Sequence, residues 1–144
     1  MSLYKHILVA LDLTEESTEI LTKAMQLAEG ANLHLVHVIE PLAYAYGGDI
    51  PMDLTEVQAQ LQQQASEQLA KLAQSVGISP ENQQVVIGQP TSEIHRLAEE
   101  LDADLVVLGS HGRQGLALLL GSTANGVLHG TKCDVLAVRV SSPD

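Results

Sequence analysis

Leu105-Val106-Val107-Leu108 is a wholly aliphatic run that leads directly into Gly109-Ser110-His111-Gly112. A short run without a polar position is typical of a strand that is buried on both faces, as the strands of parallel sheets are. The earlier run His6-Ile7-Leu8-Val9-Ala10-Leu11 is built in the same way and is followed by the polar residue Asp12. These two segments therefore predict a parallel sheet whose strands end at polar or glycine-containing loops.

The rest of the chain alternates between helical and strand periodicity. Further short apolar runs predict strands at residues 33–39, 84–87 and 135–140. Apolar residues at helical spacing predict helices at about residues 14–29, 55–76, 92–101 and 122–129, with Thr91 or Ser92 capping the third. Residues 41–54 have no period and predict a long surface loop. The order predicts one open, doubly wound α/β domain with a five-stranded parallel sheet and helices on both faces.

The composition fits a single globular domain over residues 1–144, in which residues 141–144 are expected to be a loose tail. The formal net charge of -11 disfavours nucleic-acid binding, because a phosphate backbone would be repelled. The longest apolar runs are far shorter than the roughly 20 residues that span a bilayer, so no membrane association is expected. The lone Cys133 cannot form an internal disulfide, and a reducing cytoplasm is the expected location.

Ligands of open parallel sheets bind beyond the carboxyl ends of the strands, where the connections diverge to opposite faces. The residues that follow four of the predicted strands are Asp12, 38–40, 88–90 and 109–121. In the last of these loops, Gly109 and Gly112 allow the backbone to approach a ligand closely. Gly121-Ser122-Thr123 would present N–H groups and hydroxyls at the start of a helix, and this combination suits phosphate.

Ordinary structural roles stay open for these residues. Glycines after a strand are often turn residues, and Ser122-Thr123 could simply cap a helix. Asp12 could equally cap the first helix. His111 fits a turn better than a metal site, because no second ligand lies at metal spacing, and no metal ligand is predicted. Arg113 is the one fixed cation of the loop, so the attraction for an anion would come mainly from backbone dipoles.

Several functional classes lack their motifs. The first predicted strand is not followed by G-x-G-x-x-G, and neither GxxxxGK[ST] nor G-x-S-x-G occurs in the chain. Gly88 stands where a response-regulator receiver would need an Asp. No catalytic residue is predicted, and any hydrolysis of a bound nucleotide would be slow because no general base is evident.

Six segments match one family in the correct order: residues 4–12, 35–38, 86–90, 104–112, 119–124 and 133–138. The most specific match is the segment Asp104-Leu105-Val106-Val107-Leu108-Gly109-Ser110-His111-Gly112. Over about residues 3–141 the chain thereby resembles the universal stress protein family. The resemblance implies a fold similar to that of the adenine nucleotide alpha hydrolases and a role in stress response or regulation.

The ATP-binding branch of the family carries the motif G-2x-G-9x-G-(S/T). The residues that match it are Gly109, Gly112, Gly121 and Ser122. The spacer 113–120 has eight residues where the motif has nine, and the additional Gly115 would let the loop absorb the difference. The resemblance therefore implies binding of ATP or another adenine nucleotide, with Mg²⁺ held mainly by the phosphates.

The resemblance also assigns roles within the nucleotide site. By this resemblance, Asp12 and Val38 would border the base and ribose. Leu108 and Gly109 would approach the sugar. The phosphates would be held by Gly112, Gly121, Ser122 and Thr123. Arg113 is added because of its charge and is not implied by the family.

A homodimer is implied as well, assembled through the last strand, Val135-Leu136-Ala137-Val138-Arg139-Val140. An aliphatic edge strand exposes unpaired backbone groups, and pairing with a second copy removes this hazard. Arg139 could instead simply guard the edge against pairing. A regulatory protein partner of unknown identity is also expected.

Two other functions stay open. The first is a nucleotide-free dimeric adaptor of the same family, which the eight-residue spacer favours. The second is an AMP-forming or nucleotidyl-transfer enzyme of related architecture. That enzyme would need a basic motif near the first helix, where the acidic segment Thr14-Glu15-Glu16-Ser17 stands instead.

Overall fold

Five parallel strands form the sheet of the computed structural model, which describes residues 3–13, 17–41, 55–109 and 122–138, with backbone alone for 122–125. The strands are β1 (His6–Ala10), β2 (Asn32–Ile39), β3 (Gln83–Ile87), β4 (Leu105–Gly109) and β5 (Asp134–Val138). The helices of these ranges are α1 (Ser17–Leu27), α2 (Thr55–Ser75), α3 (Pro90–Glu100) and α4 (Ser122–Gly130), and a short 3₁₀ turn spans Pro80–Asn82. The predicted fold class is confirmed.

The strand order β3-β2-β1-β4-β5 places β1 at the centre of the sheet. Ile7 pairs with Leu33 of β2 on one side and with Leu105 of β4 on the other. The chain first moves outward from β1 through β2 to β3, and it then crosses back to lay down β4 and β5 on the other side. The connections therefore diverge between β1 and β4, which is the topological switch point of the sheet.

The side chains of successive strand residues enter two different hydrophobic clusters, because they point alternately to the two faces of the sheet. Ile7 and Val9 pack with α1 and α2, whose buried residues in this cluster include Ile20, Leu21, Ala24, Leu69 and Ala73. Leu8 packs on the opposite face with α3 and α4, whose buried residues there are Ile94, Leu97, Ala98 and Val127. Helices thus cover both faces, as a doubly wound fold requires.

The predicted ends of the first two helices are confirmed. Gly30 follows α1 with φ 83°, and Gly77 follows α2 with φ 78°. Both values lie in the left-handed region that glycine adopts without steric cost. These glycines therefore let the chain leave each helix and turn back toward the sheet.

The start of α3 differs from the prediction. The helix begins at Pro90, and its N-cap is Gln89, whose side-chain oxygen accepts a hydrogen bond of 2.7 Å from the Ser92 N–H. The prediction that Thr91 or Ser92 caps α3 is therefore wrong. Proline fits the first helical position because its ring fixes φ near the helical value and it needs no N–H partner there.

The other boundaries differ from the predictions by at most one or two residues where the structure describes them. Strand β1 ends at Ala10, but the Leu11 N–H still donates to the Val36 carbonyl over 2.9 Å. The predicted start of the first helix at Thr14, the loop after Pro41 and the chain beyond Val138 lie outside the described residues. None of the described helices combines the length and apolar character needed to cross a bilayer.

Candidate functional site

The carboxyl edge of the sheet brings together several of the predicted site residues. Strands β1 and β4 are neighbours, and Val9 pairs with Val107, so Asp12, which follows β1, and Gly109, which ends β4, lie at adjacent strand ends. Val38 lies near the end of β2, on the other side of β1. Helix α4 begins at this same edge, because it connects the carboxyl end of β4 to the start of a parallel β5. The switch point is therefore bordered by three strand ends and one helix start.

Two of the predicted residues have side chains that belong to the core. Leu108 is 3% exposed and lies in the cluster under α3 and α4, and Val38 packs against the same cluster. The Leu108 side chain therefore cannot touch a ligand at the edge. Any contact of Leu108 with a ligand has to come from its main chain.

Gly109 has a packing role beside its predicted ligand role. A Cβ atom at position 109 would lie 3.1 Å from Cδ1 of Ile20, which is a tight contact with helix α1. The residue ends β4, and its backbone does not lie in the left-handed region. A side chain at position 109 would therefore require the end of the Ile20 side chain to shift by a few tenths of an ångström.

The chain directly after β1 adopts an unusual conformation at Leu13. Leu13 has φ 60°, in the left-handed region that costs a non-glycine residue roughly 1–2 kcal/mol. The Ser17 hydroxyl, at the start of α1, donates to Oδ1 of Asp12 over 3.4 Å. Ser17 is only 2% exposed, whereas Asp12 is exposed. The turn thus presents a carboxylate at the switch point and ties it to a buried hydroxyl.

His37 contacts the same turn from β2. Its Nδ1 lies 2.7 Å from the carbonyl oxygen of Leu11. A carbonyl only accepts hydrogen bonds, so Nδ1 carries the proton and donates. The half-buried imidazole therefore fixes the residue that immediately precedes Asp12.

The turn after β3 closes the edge on the side of β2. The Gly88 N–H donates to the Ile39 carbonyl over 2.9 Å. A Cβ atom at position 88 would lie 2.8 Å from Cγ of Glu93, so the Glu93 side chain occupies the space beside this glycine. Gly88 therefore lets the first turn of α3 pack closely against the end of β3.

Helix α4 is anchored to α3 downstream of the predicted phosphate loop. Val127 is fully buried, and its carbonyl lies 3.3 Å from Nε2 of His95. A Cβ atom at position 126 would lie 2.7 Å from Oγ1 of Thr91. These contacts anchor α4 to α3.

At the amino edge of the sheet, the Asp104 carboxylate connects the start of β4 to the start of β1. Asp104, just before β4, accepts hydrogen bonds from the N–H groups of Lys5 and His6 over 2.8 and 3.0 Å. Burial would raise the pKa of Asp104, but these backbone N–H groups and the nearby His6 hold the pKa below its usual value. The Tyr4 hydroxyl donates to Asp134 over 2.9 Å, and this hydrogen bond raises the pKa of Tyr4.

Open cavities also lie near the amino edge. One of about 400 Å³ is lined by His6, Asn32, His34, Asn82, Glu100 and Leu101, among others. The Gln84 side-chain amide lies 3.2 Å from Nε2 of His34 and can donate to it, and burial lowers the pKa of His34. A second cavity of about 290 Å³ lies between the ends of α3 and α4 and includes Cys133. Neither cavity contains a predicted site residue.

The remaining predicted site residues are not described. Gly112, Arg113, Gly121, Arg139 and Val140 lie outside the described residues, and Ser122 and Thr123 are described by backbone alone. Within the described ranges, His, Cys, Asp and Glu side chains do not come together as a metal site.

Sequence reasoning missed two members of this edge. His37 is visible in the sequence as a polar residue inside an aliphatic strand, but its spacing relates it only to His34. Ser17 is visible only as part of an acidic helix start. The contact of His37 joins segments that only the fold brings together, whereas Ser17 lies five residues after Asp12 and its contact is local.

Comparisons with known proteins agree with this architecture. Residues 3–139 match the sequence profile of the family described as Universal stress protein family. Universal stress protein A homolog 1 of Coxiella burnetii is 42% identical over 139 residues, which cover 94% of this chain and 96% of that protein.

Two solved structures have the same fold. The hypothetical protein MJ0577 superposes with a TM-score of 0.80 at 24% identity, covering 97% of this chain and 99% of that chain. A universal stress protein solved in complex with cAMP superposes with a TM-score of 0.62 at 24% identity, covering 96% of this chain and 98% of that chain. At this level of identity the two likenesses establish the fold alone.

Proposed function

The chain belongs to the universal stress protein family, and on that premise we propose that it is a stress-response or regulatory protein that binds an adenine nucleotide, with ATP as the expected ligand. The proposed site is the carboxyl edge of the sheet. The cytoplasm is the expected location, and an unidentified regulatory protein is the expected partner. No catalytic residue is proposed, and hydrolysis would be slow at most because no general base is evident.

The observation that carries this proposal is the arrangement at the switch point. Asp12 follows β1, Gly109 ends the adjacent β4, and α4 begins at the same edge. Ligands of open α/β sheets bind at this position. The exposed Asp12 carboxylate can accept hydrogen bonds from ribose hydroxyls, as acidic residues do in related nucleotide sites.

Phosphate binding rests on the loop and on the helix start. The first N–H groups of an α-helix have no intrahelical partner, so the first turn of α4 suits an anion. Gly109, Gly112, Gly121 and Ser122 follow the family motif, and Thr123 adds a hydroxyl. Arg113 would add the one fixed positive charge of the loop, and Mg²⁺ would be held mainly by the phosphates.

The adenine base has separate support. A universal stress protein of the same fold was solved in complex with cAMP, which is itself an adenine nucleotide. On the side of the base, Val38 would contribute an apolar border at the end of β2, and Leu108 would contribute its main chain.

Thermal unfolding with and without nucleotide tests the proposal. A ligand present at 100 times its dissociation constant stabilises the native state by about 2.7 kcal/mol. For a domain of this size, that stabilisation raises Tm by roughly 5–10 °C. Mg-ATP should produce such a shift, whereas Mg-GTP and tripolyphosphate should produce smaller ones if the base is recognised. An unchanged Tm at millimolar Mg-ATP would refute nucleotide binding.

A matched pair of variants locates the site. Asp12→Ala removes the carboxylate at the switch point, and we expect it to weaken ATP binding by about tenfold, the usual cost of losing a hydrogen bond to a charged group. Glu81→Ala removes an exposed carboxylate next to the start of β3, at the opposite edge, and should leave the affinity unchanged. Equal affinities of the two variants would place the nucleotide elsewhere.

A second candidate function is a dimeric adaptor that binds no nucleotide. The observation that favours it is the spacer 113–120, which is one residue shorter than the ATP-binding motif. A residue missing from a helix would rotate the remainder of that helix by about 100°. Against it, α4 is anchored to α3 through Gly126 and the Val127 carbonyl, downstream of the spacer. Adenine nucleotide found by mass spectrometry in freshly purified protein would exclude this adaptor.

The proposed assembly is a homodimer through β5. Among the strands that the structure describes, β5 pairs with β4 alone and stands at one end of the sheet, a position that suits pairing with a second copy. Val135 and Leu136 are half-buried in the single chain. Light scattering on the purified protein should give a mass near twice the chain's 15.4 kDa; a mass of one chain would refute the dimer.

A further inference from the structure

The backbone of Leu11 is bonded to β2 through both of its polar groups. Its N–H donates to the main-chain carbonyl of Val36 over 2.9 Å, and its own carbonyl accepts from Nδ1 of His37 over 2.7 Å. The last ladder pair of β1 and β2 is Ala10 with Val36. The His37 side chain therefore continues the connection between the two strands by one residue, up to the point where Asp12 begins.

The turn after Leu11 is strained and is held from both sides. Leu13 has φ 60°, a conformation that a branched side chain disfavours. Before this residue, His37 holds the Leu11 carbonyl; after it, the buried Ser17 hydroxyl contacts Oδ1 of Asp12 over 3.4 Å. Strained backbone persists where the surrounding structure over-determines it, and such positions concentrate at ligand sites.

The side chains of His34 and His37 make their contacts at opposite ends of the sheet. His34 pairs with the Gln84 amide near the amino end of β3, far along the strand from Asp12. His37 lies one residue before Val38, at the carboxyl end where the nucleotide is proposed to bind. Only His37 therefore has a contact that reaches the proposed site.

We propose that His37 is a positioning residue of the nucleotide site: its Nδ1–H holds the Leu11 carbonyl and thereby fixes the turn that presents Asp12 to the ligand. The inference rests on the proposed function, because Asp12 must contact the nucleotide. Preorganisation of this kind increases affinity, since the free protein already holds the bound conformation. His37 acts through the backbone and needs no contact of its own with the ligand.

Two substitutions separate this role from packing. His37→Asn retains an N–H donor at the δ position, and His37→Leu has a similar size but no donor. We expect the ATP dissociation constant, measured by calorimetry, to rise at least tenfold in His37→Leu and less than threefold in His37→Asn. If His37→Leu does not fold, His37→Val, which strands favour, takes its place.

His34→Leu is the control on the same strand. It removes the contact with Gln84, so it should lower the Tm of the free protein while leaving the ATP dissociation constant unchanged. Equal ATP affinities of His37→Asn and His37→Leu would overturn the proposal. So would an affinity loss in His34→Leu as large as that in His37→Leu, because the loss would then follow from general destabilisation.

Hydrogen exchange distinguishes this failure from a failure of the proposed function. In the absence of nucleotide, the Leu11 amide should exchange at least tenfold faster in His37→Leu than in His37→Asn. If the wild-type protein binds no ATP, the proposed function fails, and the positioning of Asp12 for a nucleotide fails with it. If the wild type binds ATP but exchange of the Leu11 amide is the same in both variants, the role of His37 alone is overturned.

Discussion

The Cβ atom that any residue except glycine would carry at position 126 falls 2.7 Å from Oγ1 of Thr91. It also falls 2.9 Å from Cγ2 of the same side chain. Thr91 is short and β-branched, so it cannot move aside by changing a distant torsion angle. Helices α3 and α4 therefore pack at a distance that only a glycine at position 126 permits.

The substitution Gly126→Ala should accordingly destabilise the protein. Within an α-helix, alanine is normally more favourable than glycine by about 1 kcal/mol. Overpacking against Thr91 costs about 1–3 kcal/mol, so we expect a net loss of about 1 kcal/mol in the free energy of unfolding measured with urea. The second substitution Thr91→Ala removes Oγ1 and Cγ2 and should restore the gain expected of alanine. An unfolding free energy of Gly126→Ala above that of wild type would contradict the tight contact.

Asp104 provides a prediction about acid stability. The N–H groups of Lys5 and His6 hold its pKa below the usual value despite the opposing effect of burial. A carboxyl group whose pKa is lowered on folding stabilises the protein above its unfolded pKa, and this contribution is lost as the pH falls through the folded pKa. Asp104→Ala should therefore cost about 1 kcal/mol at pH 7, where two hydrogen bonds are lost.

The difference between wild type and Asp104→Ala should shrink when the same urea titrations are repeated below pH 4, where the wild-type carboxylate becomes protonated. Glu99→Ala is a suitable control, because Glu99 is an exposed carboxylate on α3 near the same edge. A destabilisation by Asp104→Ala that stays constant down to pH 2 would mean that the carboxylate charge is not what stabilises the edge.

The fold was predictable because its signals are local. Aliphatic runs such as Leu105 to Leu108 specify buried parallel strands, and the glycines after α1 and α2 mark where the chain turns back. The N-cap of α3 was not predictable in this way. Gln89 is a rare capping residue, and Thr91 and Ser92 are frequent ones, so residue preference alone selected the wrong position.

The candidate site was predictable only at the level of the sheet edge. The rule for open parallel sheets selected Asp12 and Gly109 from their places after two strands. Asp12 is contacted locally by the Ser17 hydroxyl, but the surroundings of Gly109 depend on a tertiary contact with the Ile20 side chain. A single sequence does not contain the distance between segments that are separated by a helix.

His34 provides a prediction in a second pH range. Burial lowers its pKa from the usual 6.5, so the folded protein binds this proton less readily than the unfolded chain. The stability that the protein gains from keeping His34 neutral is fully present above pH 6.5, and it is lost as the pH falls through the pKa of His34 in the folded protein. Tm should therefore decrease from pH 7 to pH 5, and it should decrease less in His34→Gln, which can still accept from Gln84.

His6, like His34, is a histidine, and it lines the same cavity together with Glu100. His6→Gln is therefore the matched control, and its decrease in Tm between pH 7 and pH 5 should resemble that of wild type. An equal slope for His34→Gln and wild type would show that His34 does not contribute to the acid sensitivity.

The proposed dimer can be tested with a residue that lies outside both hydrophobic clusters. Ala137 is half-buried in β5 and pairs with Leu108 of β4. A glutamate at position 137 would bring two like charges together if two copies of β5 pair, so Ala137→Glu should raise the dimer dissociation constant at least tenfold. Leu128→Glu also adds a negative charge, but at a residue of α4 that is 48% exposed, and it should leave the dimer intact.

Because both variants add one negative charge to a chain of net charge -11, general repulsion would affect them equally. A light-scattering mass that decreases only in Ala137→Glu therefore supports pairing through β5, and an equal decrease in both variants contradicts it.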